Sequence, residues 1–239
     1  ARLARMGLSG PPTILEGKRG FLQAFCNAHD ARPLTEDLGS RWHFPERGAI
    51  KPYASCGLLH DHFAAYDKLR AAHRFTADDV EHVVLGCSPL ARVHTGAIGP
   101  HPKDVVSAQF SAEYSVAMRI VTGRNDVGSY LDAEAAGFRP DRVTALAERV
   151  RMEVDPACSE PIPMGRVTLA LRDGRTLSEL GYALGTPMNP FSRADIEQKY
   201  RDLVERDFGR AIADRSIELV MNIEQVKDVG ELTRLFEPR

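Results

Sequence analysis

The sequence predicts an α+β protein in which helical-bundle segments from both chain ends flank a central α+β domain with a small antiparallel sheet. Three observations carry that prediction. Apolar residues recur at helical spacing towards the two ends. Short β-branched or alternating runs, Val83–Cys87 and Val150–Val154, fall in the middle. The Asp173-Gly174 turn joins two alternating segments, Val167–Arg172 and Arg175–Leu177, which is the pattern of a β-hairpin. With 239 residues the chain can bury a sizeable core. We divide it into a helical segment 1–49, an α+β domain 50–185 and C-terminal helices 186–239 that pack back on the first segment.

Ala1–Met6 read as the last turns of a helix that ends at Gly7, so the chain begins in mid-element. Thr13 with Glu16 three residues on makes a capping box for a short helix. Gly17 and Gly20 interrupt it around Lys18 and Arg19, and Phe21–Cys26 resumes an apolar helical run. Residues 27–50, with Pro33, Gly39, Pro45 and Gly48, form a loop-rich connection. Pro52 keeps Lys51 out of the helical region, and Leu59, Phe63, Tyr66 and Leu69 then follow a helical period. That places a helix start at about Ser55 or Cys56 and its end near His73.

Thr76 can cap with Asp79, and Phe75 with Val80 makes a hydrophobic staple, so a short helix leads into the first strand. Residues 88–106 carry Pro89, Gly96, Gly99, Pro100 and Pro102 and read as a loop holding His94 and His101. Phe110, Tyr114, Ala117, Met118 and Val121 share one helical face, closed by Gly123. Helices over Asp126–Ala136 and from Asp141 through Ala147 follow, then the second strand, a Pro-rich loop at 158–165 and the hairpin. Ser192 with Asp195, and Phe191 with Ile196, open a helix whose apolar face is Ile196, Tyr200, Leu203 and Val204. Further helices run through Ile212, Ile217 and Leu219 to a last one at Leu232–Phe236.

Composition excludes several classes of partner. The balance of 31 basic against 33 acidic residues gives a net charge of -2, so nothing electrostatic recruits nucleic acid or an anionic membrane. No apolar run reaches the ~18 residues of a membrane span. Cys26, Cys56, Cys87 and Cys158 form no disulfide framework, which favours free thiols and a cytoplasmic setting. A small molecule is the expected partner.

Chemistry concentrates in Lys51-Pro52-Tyr53-Ala54-Ser55-Cys56-Gly57-Leu58-Leu59-His60. This stretch places a cation, a phenol, a hydroxyl, a thiol and an imidazole at the start of a helix, where unpaired N–H groups favour a carboxylate or phosphate. Each residue also has a plain structural explanation. Ser55 can be a helix cap, Cys56 a small core residue and Lys51 a solvated charge. Tyr114, on an apolar helical face, can be a core tyrosine. His60 and His62, two apart on a helix, point to different faces, and no Cys-x-x-Cys or His-Glu-x-x-His accompanies them, so no metal site is expected.

Several unlinked stretches together resemble the MmgE/PrpD family of 2-methylcitrate dehydratases, cis-aconitate decarboxylases and iminodisuccinate epimerases. They are Gly7-Leu8-Ser9-Gly10-Pro11 with Leu15-Glu16-Gly17 and Gly20-Phe21, then Lys51–Cys56 with His60, then Ala108-Gln109-Phe110-Ser111 with Tyr114 and Ala117. Pro163, Asp173-Gly174 and Asn189-Pro190-Phe191-Ser192 with Lys199 complete the set. The resemblance implies a large helical domain with an α+β lid, and a cleft that works on small di- or tricarboxylates without metal or organic cofactor. It implies that Lys51 holds a substrate carboxylate, Cys56 faces the reacting carbon and Tyr114 donates a hydrogen bond or proton, with Ser55, His60 and Gln109 as binding residues.

The shared chemistry is proton abstraction next to a carboxylate. Where the family often has Arg after the Cys, this chain has Gly57, which removes a possible carboxylate clamp. The family also carries an N-terminal helical half with a catalytic His and Asp, so a companion half, from the same or a separate polypeptide, is expected, as is a homodimer. Two other classes are a thiol enzyme with Cys56 activated by the helix end and Lys51 or His60, and a non-catalytic interaction subunit or remnant.

Overall fold

The computed structural model describes residues 1–26, 30–159 and 164–237. Its contacts divide the chain into two compact units, residues 1–46 and 47–239. In the first, α1 (Arg2–Arg5) ends before Gly7 as expected, and α2 (Phe21–Phe25) and α3 (His43–Arg47) are equally short. The helix expected from Thr13 does not form. The carbonyls of Ile14 and Leu15 accept from Phe21 and Leu22 at 2.8 and 3.0 Å, which closes a wider turn in place of the helical ladder. Leu22 is buried in this unit, whereas Leu3, Met6, Phe25, Trp42 and Phe44 are exposed.

The second unit is built on a four-stranded sheet. The strands are β1 (Val80–Cys87), β2 (Val150–Val154), β3 (Gly165–Leu171) and β4 (Thr176–Gly181), in the order β2-β1-β3-β4. The β3–β4 hairpin forms around Asp173-Gly174 with Leu169 opposite Leu177, and β3 runs antiparallel to β1. β2 lies parallel to β1, with Val83 opposite Val150, so the sheet is mixed where an antiparallel one was expected. The reason is topological. The long helical connection between β1 and β2 returns the chain to the same end of the sheet, as a parallel neighbour requires.

One face of the sheet is buried, as the alternating burial along β3 shows. The helix α4 (His60–Ala72) lies across β3 and β4, and its Phe63, Tyr66 and Leu69 fill the core with Val167, Leu169 and Leu171. The approach is close enough that a Cβ on Gly181 would stand 2.2 Å from the Asp61 carbonyl oxygen. Only glycine fits there.

The connection holds more helix than the sequence suggested. Ser88 caps α5 (Pro89–Thr95) by accepting from the Ala91 N–H, with Pro89 in the first turn, so the first part of the expected 88–106 loop is helical. The single helix expected around Phe110 is two, α6 (Val105–Phe110) and α7 (Ala112–Thr122), broken at Ser111. The Ser111 hydroxyl accepts from the Tyr114 N–H and donates to the Gly99 carbonyl. α8 (Val127–Ala135) and α9 (Arg142–Ala147) are capped by Asp126 and Asp141, and α7 packs on α9 and β2. Pro163 lies outside the described residues. α10 (Arg193–Phe208), α11 (Arg210–Met221) and α12 (Gly230–Arg234) complete the chain, α10 opening on the expected Ser192–Asp195 capping box.

Candidate active site

The segment before α4 is held from three sides by backbone hydrogen bonds. Ile50 N–H donates to the Gly185 carbonyl, Ala54 N–H to Asn125 and Cys56 N–H to Gln109, each at 2.9 Å. The helix therefore starts later than its sequence suggested, as a 3-10 turn over Gly57–Leu59 that passes into α4 at His60. Ser55 does not act as its cap. Its hydroxyl lies 3.2 Å from Nε2 of His60, and its carbonyl accepts from Lys51 Nζ at 3.2 Å. The cation thus folds back over the turn, and a Cβ on Gly57 would meet Lys51 Cε at 3.5 Å, an ordinary van der Waals contact.

Beneath this segment runs a buried polar layer that sequence reasoning missed. Ser55, His60, Ser115, Asn125 and Tyr130 are all buried. The Tyr130 hydroxyl lies 2.9 Å from Ser115 Oγ and accepts from Asn125 Nδ2 at 3.1 Å, and Asn125 Nδ2 also donates to the Ser115 carbonyl. The Ser55 side chain reaches the same phenol. Above it, Arg119 grips Asp67 through two nitrogens, at 2.6 and 3.1 Å, and stacks its guanidinium 5.0 Å from the Tyr53 ring. Tyr53 in turn meets His60 and Phe63 edge-on. These partners come from α4, α7 and α8, at separations no local pattern signals.

Burial sets the electrostatics. Desolvation, with the Lys51 charge second, pushes His60 down to about 4 against the weaker effect of its Ser55 bond. Desolvation likewise holds His62 at about 4, although its Nε2 bonds the Gly86 carbonyl at 3.0 Å. Both imidazoles are neutral near pH 7. Asp61, between them in sequence, is raised to about 6 by burial although its Oδ1 accepts from Ala183 N–H.

A cavity of about 360 Å³ opens beside the segment. Lys51, Pro52, Tyr53 and Ala54 form one wall, Asp126 and Val127 at the start of α8 another, and Phe191 with one face of α10 the third. The Gly185–Pro190 turn delivers that third wall. Gly185 N–H donates to the Asn189 carbonyl at 2.7 Å, and the Asn189 side chain donates to the Tyr182 carbonyl. Gly185 has φ +84, and a Cβ on it would lie 2.0 Å from the Ile50 carbonyl oxygen and 2.8 Å from the Phe191 ring. The close approach that joins the two motifs therefore depends on glycine.

The structure brings Lys51, Ser55, Cys56, His60 and Gln109 together, with Lys51 on the cavity and Ser55 and His60 buried behind it. It sets the Tyr114 ring apart from that cavity wall. Tyr114 is buried, packed edge-on against Phe138, and its phenol is pushed up to about 12, by burial first and then by Asp141 and Tyr130. All four cysteines are free thiols, Cys56 partly accessible and Cys87 and Cys158 buried. Among the described residues, no group of three or more His, Cys, Asp or Glu side chains could hold a metal ion. None of the described helices is long and apolar enough to cross a membrane.

An α+β domain with a mixed sheet, and a lysine-bearing turn that shares a cavity with a helix from beyond the hairpin, is the class of protein this geometry defines. Residues 53–225 match the MmgE/PrpD C-terminal domain, and the chain belongs to that family. A cis-aconitate decarboxylase of Aspergillus terreus (strain NIH 2624 / FGSC A1156) is 27% identical over 255 residues, covering 98% of this chain and 51% of that protein. The human cis-aconitate decarboxylase is 24% identical over 246 residues, covering 99% of this chain and 50% of its own length. The chain thus spans about half the length of the curated relatives it matches.

Proposed function

We propose that the protein is a lyase or isomerase that works without metal or organic cofactor on a small di- or tricarboxylic acid, by moving a proton next to a carboxylate. The observation that carries this reading is the convergence of two separate family motifs, Lys51–Ala54 and Phe191 with Lys199, on one cavity. In the proposal Lys51 holds the carboxylate beside the reacting carbon. Charge that grows on that carboxylate as the proton leaves is met by an ammonium already in place, so little reorganisation is needed. Cys56 faces the carbon, and the neutral Ser55–His60 pair and the Gln109 carbonyl fix the turn that presents both. Tyr114, buried like His60, keeps in this proposal the hydrogen-bond or proton-donor role that the family resemblance implies.

Three outcomes pass through carbanion-like charge beside that carboxylate. After proton abstraction, loss of hydroxide as water gives dehydration and return of the proton to the other face gives epimerisation; in decarboxylation the charge comes instead from carbon dioxide leaving with its bond electrons behind, and one proton then adds to the carbon. The relatives' names favour decarboxylation of cis-aconitate as the first activity to assay. A companion helical half completes the site in this reading and supplies the acid-base groups opposite Lys51. The exposed Leu3, Met6, Phe25, Trp42 and Phe44 of the first unit support a partner surface of this kind.

Exchange in D2O tests the proposal whatever the leaving group. With the companion half present, cis-aconitate, citrate or a 2-hydroxy dicarboxylate should take up deuterium beside a carboxylate, or turn over, as followed by proton NMR. The 239-residue chain alone should be slow. If the assembled protein exchanged no proton in any of these acids, the proposal would fail.

A further inference from the structure

We propose that Ser115 and Tyr130 are positioning residues that fix the hydrogen of His60 on Nε2, through a one-way chain of buried hydrogen bonds that passes by Ser55. The direction of the chain follows from how many hydrogens each group has to give. Its consequence for the chemistry rests on the proton-transfer reading above.

The chain starts at α6. The Ala108 carbonyl can only accept, and the Ser115 hydroxyl donates its one hydrogen to it at 2.9 Å. Ser115 Oγ therefore receives the hydrogen of the Tyr130 hydroxyl, 2.9 Å away. The phenol oxygen, its own hydrogen committed, accepts from Asn125 Nδ2 at 3.1 Å. That amide cannot be turned round, because Nδ2 also donates to the Ser115 carbonyl at 3.0 Å, and an amide oxygen there would face another acceptor. The Ser55 side chain meets the same phenol and has to donate to it. With that hydrogen spent, Ser55 Oγ accepts from His60 Nε2 at 3.2 Å. All five side chains are buried, where one reversed link would set two lone pairs or two hydrogens against each other and lose a bond.

Burial, with the Lys51 charge second, holds His60 at about 4, so the imidazole is neutral near pH 7. With its hydrogen turned to Ser55 it keeps a lone pair on Nδ1. His60 can then accept a hydrogen bond or a proton but has none to give, and the donor in the proposed chemistry is another group.

Long-range 15N–1H correlation spectra of the labelled protein at pH 7 test this, with the His60 signals identified by their loss in His60→Gln. The parent should show hydrogen on Nε2 and a bare Nδ1. In Ser115→Ala the phenol hydrogen loses its acceptor and turns to Ser55, the Ser55 hydrogen turns to His60, and the imidazole hydrogen should move to Nδ1, exchanging the two 15N shifts. Tyr130→Phe should do the same by removing the acceptor of the Ser55 hydrogen. In this chain Ser115 reaches His60 only through the phenol, so a merely structural role would lower the melting midpoint and leave the tautomer alone. If Tyr130→Phe fails to fold, Ser115→Ala still decides. A parent with its hydrogen on Nδ1, or a folded Ser115→Ala that keeps it on Nε2, would overturn the inference. Full activity of Lys51→Met would remove the proton-transfer reading and leave the tautomer result untouched.

Discussion

Replacing Lys51 with methionine in the assembled enzyme should lower kcat/KM roughly 10²–10³-fold, the usual loss when one preorganised donor to developing charge is removed. The fold should not suffer. Lys51 is exposed and its one hydrogen bond inside the protein goes to the Ser55 carbonyl. The segment stays anchored through Ile50, Ala54 and Cys56, whose backbone bonds do not involve the lysine side chain. Because Lys51 is the second cause of the low His60 pKa, the same substitution should let His60 titrate at higher pH in an NMR titration. Steady-state kinetics of Lys51→Met, with the melting midpoint as a control, gives the decisive comparison. A variant that kept activity within a few-fold of the parent would remove Lys51 from the chemistry.

Mild acid should destabilise the protein, and the sign follows from three buried groups. His60 and His62 are held at about 4 by desolvation, against about 6.5 when unfolded. Between those values the unfolded chain binds two protons that the folded chain refuses, so stability present above pH 6.5 is lost as the pH falls towards 4. Each histidine accounts for on the order of 3 kcal/mol. Asp61 works the other way. Its carboxyl is raised to about 6 by burial, so the folded state takes that proton first and gains stability over roughly the same range. The net loss at pH 4 is then on the order of 3 kcal/mol. Urea midpoints from pH 7 to 4 should fall, and Asp61→Asn, whose amide oxygen can still accept from Ala183, should steepen the fall. A flat or rising profile would show that the imidazoles are not held neutral by the fold.

The elements that could be read from the sequence were those with local chemistry. Asp173-Gly174 marks its hairpin, and Asp126, Asp141 and Ser192 each begin a helix as their spacing suggests. Where the outcome turned on a distant partner, local reading failed. Ser55 looks like a cap, but His60 takes its hydroxyl and Gln109 takes the next N–H, so the α-helix proper begins at His60. Thr13 and Glu16 have the spacing of a capping box, yet the carbonyls that would extend the helix serve Phe21 and Leu22. Ser88-Pro89 opens a stretch whose glycines and prolines suggest a loop, although a capping serine followed by proline also opens a helix, and here it does.

The same contrast holds for the site. Lys51 stands out in the sequence as a cation beside a proline and a helix start, and in the structure it lines the cavity. Tyr114 lies on an apolar helical face, and the core position that such a face suggests is where its ring sits. Asn125 and Tyr130 carry no local mark. Their importance comes from α7 and α8 meeting the Lys51 segment, which brings three buried polar side chains, those of Ser55, Ser115 and Asn125, to one phenol.

The most direct test of the central claim is a crystal structure of the protein at saturating glutarate. The account predicts a carboxylate oxygen within about 3 Å of Lys51 Nζ, hydrogen-bonding distance, with the acid's chain lying in the cavity towards α10. Glutarate bound elsewhere, with the Lys51 ammonium still on the Ser55 carbonyl and the cavity filled by water, would contradict it.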